Sequence, residues 1–309
     1  MRRARLASLL AAALPLLVAS ACSGGTDPEA TRTPSTQAPA TTEREATVEE
    51  PAVERVYEEF HRDEFGRSTV IDNEWFPLRP GTQFVWTGST FEGGRRVPHR
   101  VVFTVTDLTK VIAGVRTVVA WDRDYGAGEL LETEIAFFAQ DDDGTVWHFG
   151  QYPEEYERGK FVAAPAWIAG FQNARAGITM HADPQLGTPS YSEGWGPAVN
   201  WTDRAQVYRT GRRTCVPVAC YDDVLVVEEF SRDEPDAFQL KYYARGVGNV
   251  RVGWRGDDQS REILRLVRVV HLGPDALSSV RRQVLALERR AYTISTDVYG
   301  RTEPATASR

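Results

Sequence analysis

The feature that most constrains the fold is a two-residue period of apolar side chains between residues 84 and 137. Such alternation places every second side chain on one face of an extended strand, as half-buried antiparallel strands require. It predicts four strands, whose alternating positions are Phe84 and Trp86; Val101, Phe103 and Val105; Thr117, Val119 and Trp121; and Leu131, Ile135 and Phe137.

Turn-forming residues separate these strands at hairpin spacing, around 92–94, 113–114, 125–128 and 141–144. A second series of strands is predicted at 205–210, 221–230, 238–244, 249–254 and 262–271. No long helical period lies between them to serve parallel crossovers. We therefore predict a mainly β domain over 51–272: a curved antiparallel sheet, either a meander forming a half-barrel or a sandwich. Residues 151–203 are predicted to be irregular.

Helices are predicted at both ends of this domain. Pro51 begins a short N-terminal helix, and a C-terminal amphipathic helix covers about 275–292. We expect its apolar stripe to pack on the sheet, whereas contact of its arginines with anionic lipid is the alternative. Residues 298–309 are predicted to be a solvated tail, so that 273–309 comprise helix and tail. The two apolar stripes are Val53, Val56, Tyr57 and Phe60, and Leu277, Val280, Val284, Leu287 and Ala291.

Residues 1–21 are organised like a secretory signal peptide. Arg2, Arg3 and Arg5 precede an apolar run, and small residues precede Cys22. The pattern resembles bacterial lipoproteins, in which this cysteine becomes the lipid-modified first residue. We predict that lipidated Cys22 anchors the protein to the outer face of the cell membrane, with cleavage to a soluble secreted protein as the alternative. Residues 22–50 have almost no large apolar side chain and are predicted to form a disordered tether.

Charge and motif content argue against several functions. The chain has 43 acidic and 36 basic residues, and three of the basic ones lie in the signal peptide, so we predict no nucleic-acid partner. The five histidines lack zinc-ligand spacing, and the acidic turn at 141–144 lacks a calcium-loop pattern. We therefore predict no metal, no cofactor and no catalytic residue. Cys215 and Cys220 are predicted to form a disulfide that joins two strands in an oxidising compartment.

Two segments carry a family resemblance. Residues 72–82 read DNEWFPLRPGT, and residues 241–250 read KYYARGVGNV. Together they resemble an uncharacterised family of secreted bacterial proteins common in actinobacteria, and the resemblance extends over roughly 68–271. It implies no activity for particular residues. More loosely, an anchored antiparallel sheet with a packed helix is similar to half-barrel lipoproteins of the cell envelope.

These features lead to the hypothesis of an anchored extracytoplasmic lipoprotein without enzymatic activity. Its partners are expected to be the membrane, through the lipid, and a hydrophobic small molecule or an envelope protein held by the concave face. Large aromatic residues of one alternation set are predicted to face this ligand: Phe84, Trp86, Phe103, Trp121, Phe137 and, if the later strands continue the same face, Tyr242 and Trp254.

Three alternatives stay open at the level of sequence. The aromatic rings could simply fill a core beneath the helices. The chain could be a structural or assembly protein of the envelope. It could also be an exported hydrolase with a site in 151–203, where ionisable residues accompany Trp167 and Trp195; these are Glu154, Glu155, His181, Asp183 and Glu193.

Overall fold

Sixteen strands in one antiparallel sheet make up most of the part of the chain that the structure describes. The computed structural model describes residues 56–231 and 234–308, so the predicted signal peptide, Cys22 and tether lie outside the described residues. The strands are β1 (Thr82–Glu92), β2 (Arg95–Ile112), β3 (Val115–Gly126), β4 (Glu129–Gln140), β5 (Val146–Glu157), β6 (Lys160–Ala163), β7 (Trp167–Ile168), β8 (Arg175–Met180), β9 (Tyr191–Ser192), β10 (Gly194–Trp195), β11 (Arg204–Cys215), β12 (Cys220–Ser231), β13 (Glu234–Ala244), β14 (Gly248–Gly256), β15 (Ile263–His271) and β16 (Thr306–Ala307).

The predicted meander is confirmed, because β1 to β5 and β11 to β15 each pair with their neighbours along the chain. The turns behave as their sequences predict. Ala113 and Gly114, for example, have φ of 48° and 82°, the left-handed conformation that two-residue hairpins need. Register shifts in most strand pairs, such as the one between Val85 and Trp86, add curvature to the sheet.

The curved sheet closes almost completely on itself. Its order is β10-β8-β5-β4-β3-β2-β1-β15-β14-β13-β12-β11-β9. The strands at its two ends are separated by Glu193 alone, since β9 pairs with β11 and β10 pairs with β8. We call Tyr191–Trp195 the closing segment. The fold is thus a single barrel-like sheet with an inner and an outer face, which decides between the half-barrel and sandwich predictions.

One long helix, α1 (Pro274–Ile294), packs on the outer face and confirms the predicted C-terminal helix. Its apolar stripe from Val280 to Ala291 is buried. An internal ion pair reinforces the contact: Lys110 Nζ of β2 lies 2.9 Å from Glu288 Oε1 and 3.0 Å from the hydroxyl of Tyr292. Among the residues that the structure describes, no helix combines the length and hydropathy needed to cross a bilayer.

Two predictions for the ends of the domain are wrong within the described residues. Val56 to Phe60 are not helical, and the nearest helical turn is a 3-10 turn at Arg62–Glu64. The ring of Phe60 instead packs edge-on against Phe149, 5.2 Å away, so tertiary packing outweighs the local helical spacing. Residues 298–308 are not a solvated tail either, because Tyr299 is fully buried and β16 pairs with β2.

The predicted irregular middle contains more regular structure than its pattern indicates. β5 extends to Glu157, and β6 to β10 follow as short strands. Most of these strands have only two to six residues, too few to show a period. A strand of two residues is recognisable only through its pairing partner, which explains why the alternation fails here.

Candidate ligand-binding site

The inner face of the sheet carries four of the predicted ligand-facing aromatic residues. Phe84 lies opposite Phe103 across β1 and β2, and residues paired in this way project from the same face. The rings of Phe84 and Trp86 are stacked, with centroids 5.7 Å apart. The register also places Trp254 on this face, opposite Gln239. These aromatic residues line one wall of the interior.

The register places the remaining three aromatic residues on the outer face, so the expectation of one shared face does not hold for Trp121, Phe137 and Tyr242. Phe137 lies opposite Val119 and contacts Tyr299, with ring centroids 6.1 Å apart. Tyr242 lies opposite Arg251, whose guanidinium sits 4.7 Å from its ring centre. The physical reason is that side chains alternate between the two faces of a strand. A bulge, or a one-residue shift in the pairing of two strands, moves a side chain to the other face, and the pattern within a single strand does not reveal this shift.

Carboxylates continue the aromatic rows across β3, β4 and β5. Asp122 lies opposite Phe103, and Glu134 lies opposite Asp122. One step towards the hairpin turns, Glu132 lies opposite both Asp124 and Glu155. Glu134 is 1% exposed, whereas Asp122 and Glu132 are half-buried. The inner face therefore changes from aromatic to acidic between neighbouring strands.

The pKa values of these carboxyl groups are raised. Burial raises the pKa of Asp122 to about 7 and that of Glu134 to about 8, and repulsion from neighbouring carboxylates adds to it. Arg123 near Asp122 and Lys241 near Glu134 oppose the rise but do not cancel it. For Glu132, burial and then repulsion from Glu134 hold the pKa well above its usual range. Both effects penalise the ionised form, so the inner wall holds protons at neutral pH.

A histidine lies between two carboxylates at one end of the inner face. His99 Nε2 lies 2.5 Å from Asp124 Oδ1, and His99 Nδ1 lies 2.5 Å from Glu262 Oε1. Burial lowers the pKa of His99, but these two partners outweigh it and raise the pKa to about 9. A protonated imidazole with both nitrogens donating has no free lone pair. His99 therefore joins β2, β3 and the segment before β15 instead of acting as a base at neutral pH.

A second charged group lies near the closing segment. Lys241 Nζ is 2.6 Å from Glu229 Oε1, and burial raises the pKa of Glu193 well above its usual range, with repulsion from Glu229 adding to it. Burial lowers the pKa of Lys241, but the charges of Glu229 and Glu193 outweigh it and keep the ammonium protonated. The charge of Lys241 is thus compensated by Glu229 and Glu193.

The opposite end of the interior is filled by aromatic rings. Phe76 lies between Phe138 and Tyr243, with centroid distances of 5.7 Å and 6.3 Å. His148 stacks on Phe138 at 4.9 Å and packs edge-on against Trp167 at the same distance. Burial lowers the pKa of His148 to about 3, so this ring is neutral and serves as packing.

The two segments that carry the family resemblance meet at this closed end. The amide of Gly246 donates to the carbonyl of Glu74 over 2.6 Å, and the guanidinium of Arg245 lies 4.1 Å from the ring centre of Trp75. Within the first segment, Asn73 Oδ1 accepts hydrogen bonds from the amides of Trp75 and Phe76. The motifs therefore form a structural plug that seats Phe76 in the interior.

The five ionisable residues of the hydrolase alternative do not converge. Glu154 points outward, where it accepts hydrogen bonds from Tyr152 and Arg290, while its neighbour Glu155 faces inward. His181 packs against Tyr191 with ring centroids 4.4 Å apart, and Asp183 is exposed. Trp167 is buried against His148, and Trp195 contacts Tyr57. Glu154 and Glu155 are separated because adjacent residues of a strand project to opposite faces.

The remaining motif predictions have clear structural outcomes. Cys215 and Cys220 form a disulfide at the ends of β11 and β12, as predicted. In the acidic turn, Asp141 accepts hydrogen bonds from the amide of Thr145 and the indole of Trp147, each over 2.8 Å. Both carboxylate oxygens of Asp141 therefore stabilise the turn. Within residues 56–231 and 234–308, no group of three or more His, Cys, Asp or Glu residues is arranged to hold a metal ion.

Sequence reasoning missed the inner carboxylates because charged alternate positions are normally assigned to a solvated face. A signal was present in residues 122–134, where acidic residues recur at alternate positions on both strands of one hairpin, at 122 and 124 and at 132 and 134. A strand covered on both faces has no solvated side, so its charged positions face the interior here.

Comparisons with known proteins give weak similarity. No protein-family model matches the chain, and no curated protein matches it. An exported protein with a YmcC-like fold from Bacteroides fragilis is 13% identical with a TM-score of 0.38, and a lipoprotein from Parabacteroides distasonis is 11% identical with a TM-score of 0.35. In both cases the alignment covers 64% of this chain and 99% of the other. At these values the two similarities support no inference about function or location.

Proposed function

We propose that this protein is an extracytoplasmic lipoprotein that binds an apolar or amphiphilic molecule inside its barrel-like sheet. The observation that carries the proposal is the set of inner-face rings, Phe84, Trp86 and Phe103, which line the inside of the nearly closed sheet. The three side chains are 7–8% exposed, and Phe103 packs against Phe138 with ring centroids 6.3 Å apart, so a ligand would lie along a wall that these rings form.

The size of the sheet supports an interior with room for a ligand. Thirteen strands follow one another around the nearly closed sheet, and two of them, β9 and β10, belong to the closing segment. Side chains just fill barrels of about eight strands, and larger barrels enclose cavities or channels. The half-buried state of Asp122, Glu132 and Trp254 fits an interior that side chains do not seal completely.

The location is proposed from the N-terminal sequence. The basic residues, apolar run and small residues before Cys22 fit processing as a lipoprotein. The Cys215–Cys220 disulfide fits an oxidising compartment. The expected partners are therefore the cell membrane, through the lipid, and a hydrophobic small molecule; the sheet interior gives no specific reason to prefer an envelope protein.

The ligand is tested by extracting the native protein, purified from its own membrane, with organic solvent followed by mass spectrometry. We expect a stoichiometric apolar or amphiphilic molecule. Trp86→Leu should lower its yield several-fold, whereas Tyr242→Leu, which removes an aromatic ring from the outer face, should retain it. An extract without any bound molecule, from protein that urea unfolding shows to be folded, would contradict the proposed binding.

The anchor is tested by fractionation and by the mass of the N-terminal peptide. We expect a diacylated or triacylated Cys22 in the membrane fraction and release of Cys22→Ser into the soluble fraction. A mature chain that still begins at Met1 without acyl groups would contradict lipidation, and this outcome would leave ligand binding unaffected.

A further inference from the structure

The acidic wall of the inner face contains buried acceptors that the protein does not satisfy. Among the described residues, Glu134 Oε1, Gln151 Oε1, Glu155 Oε1 and Gln239 Oε1 have no hydrogen-bond partner. Native proteins pair nearly all such atoms, and an unpaired one costs about 1–3 kcal/mol. The two amide oxygens are acceptors, and the two carboxyl oxygens are acceptors when Glu134 and Glu155 are ionised, so a ligand that satisfies them has to supply N–H or O–H donors.

Three of these acceptors, those of Glu134, Gln151 and Glu155, lie on the neighbouring strands β4 and β5, whereas Gln239 lies on β13. Gln151 lies opposite Ala136, two residues along β4 from Glu134, and Glu155 lies opposite Glu132. These side chains line the wall formed by β4 and β5, beside Asp122 of β3. Glu134 and Gln151 are 1% and 6% exposed, so bulk water does not replace the missing donors in the way it does at a surface.

The cations of the interior are already committed elsewhere. His99 lies between Asp124 and Glu262, and Lys241 is paired with Glu229. Arg123 projects from the other face, where its guanidinium lies 3.9 Å from the ring centre of Trp121. Within the described residues, the β3–β5 wall therefore has an excess of carboxylates without a matching positive charge.

Aromatic rings adjoin this acidic wall directly. Phe103 lies opposite Asp122, and Val101, beside Trp86, lies opposite Asp124. A molecule with an apolar body and a cationic end would place the body along Phe84, Trp86 and Phe103 and its donors against the carboxylates. A neutral hydroxyl end would donate only one hydrogen bond and bring no positive charge. An anionic end would add repulsion.

We propose that the ligand of this site is a cationic amphiphile whose primary ammonium or guanidinium group donates hydrogen bonds to Glu134, Gln151 and Asp122. This inference rests on the proposed function, because it specifies the chemistry of the molecule bound in the same interior. The raised pKa values of Asp122 and Glu134 agree with it, since a bound cation would supply the charge that favours their ionised forms.

The test compares four twelve-carbon probes by titration calorimetry at pH 7.5, below their micelle concentrations: dodecylammonium, dodecyltrimethylammonium, dodecanol and dodecyl sulfate. Dodecylammonium should bind at least tenfold more tightly than dodecanol and dodecyl sulfate. It should also bind more tightly than dodecyltrimethylammonium, which has the charge but no N–H donor. Equal affinity for all four probes would overturn the inference and leave the proposed function standing, whereas no binding of any probe would contradict both.

Variants localise the effect. Glu134→Gln keeps the size of the side chain and should weaken dodecylammonium binding at least tenfold while leaving dodecanol binding unchanged. Glu129→Gln, on the exposed end of the same strand, is the matched control and should change neither. Unchanged dodecylammonium affinity in the Glu134 variant would overturn the assignment of this wall.

Proton release provides a measurement that needs no variant. At pH 7.5 Glu134, with a pKa of about 8, is mostly protonated and Asp122, with a pKa of about 7, is protonated only in part. Binding of dodecylammonium should therefore release up to about one proton per site to the buffer. Calorimetry in two buffers with different ionisation enthalpies measures this number. Tight binding without any proton release would place the cation away from these carboxyl groups and would overturn the inference.

Discussion

Loss of Glu288 should destabilise the protein more than any other single change in α1, because this carboxylate organises the contact between the helix and the sheet. Lys110 and Glu288 are 1% and 4% exposed. Glu288 Oε1 also accepts hydrogen bonds from the hydroxyl of Tyr299 at 3.2 Å and from the amide of Ala305 at 3.0 Å. Glu288→Leu therefore leaves a buried ammonium group without its counter-charge and two buried donors without an acceptor.

The expected cost follows from these contacts. Removing one partner of a buried ion pair costs about 3–5 kcal/mol, since the remaining charge stays desolvated. Burial lowers the pKa of Lys110, although the charge of Glu288 opposes this effect. The remaining ammonium can lose its proton and recover part of the cost. We therefore expect the free energy of unfolding to fall by about 3 kcal/mol.

The assay is equilibrium urea unfolding followed by tryptophan fluorescence, with two comparison variants. Lys110→Met combined with Glu288→Leu should recover most of the loss, because an apolar pair of similar volume often replaces a buried ion pair at little cost. Arg281→Leu is the control on the same helix. Its ion pair with Asp107 lies at the surface, where solvent screens it, and should contribute little. A double variant as unstable as Glu288→Leu alone would refute the reasoning.

Two further predictions concern pH. The raised pKa values of Asp122 and Glu134 mean that the folded protein binds more protons than the unfolded chain between about pH 4 and 8, so their contribution to stability is present at low pH and is lost as the pH rises. Urea titrations should show the double variant Asp122→Asn, Glu134→Gln gaining stability over wild type at pH 8.5 but not at pH 4, and equal differences at both pH values would contradict this. The pKa of His99, raised to about 9 between Asp124 and Glu262, makes its contribution complete below pH 6.5 and lost through pH 9. His99→Gln should accordingly destabilise the protein at pH 6 and much less at pH 10, whereas a pH-independent loss would indicate packing alone.

The acidic interior also explains why the hydrolase alternative gains no support from a histidine beside carboxylates. His99 is the clearest such contact in the described residues, but its pKa of about 9 keeps both nitrogens protonated at neutral pH. A general base needs a free lone pair in the working pH range. The same cluster instead holds three parts of the sheet together at one end of its inner face.

The amino-acid sequence by itself determined the features that depend on local periodicity. Alternation around Phe84 and Phe103 predicts strands, the Ala113–Gly114 pair predicts a hairpin turn, and the stripe from Val280 to Ala291 predicts a packed helix. These signals survive because each arises within one element, where side-chain spacing and backbone conformation are coupled directly. The disulfide between Cys215 and Cys220 follows similarly from two residues close in the chain.

Only the tertiary structure decided which face each strand turns inward and what closes the sheet. Trp121 and Asp122 are neighbours in β3, and the sequence alone does not decide which of them faces the interior. The register across β2 to β4 places Asp122 inside. Closure depends on two strands of two residues each on either side of Glu193, which have no periodicity of their own. Because α1 covers the outer face while closure covers the inner one, charged residues had no solvated side to occupy, and this produced the acidic wall.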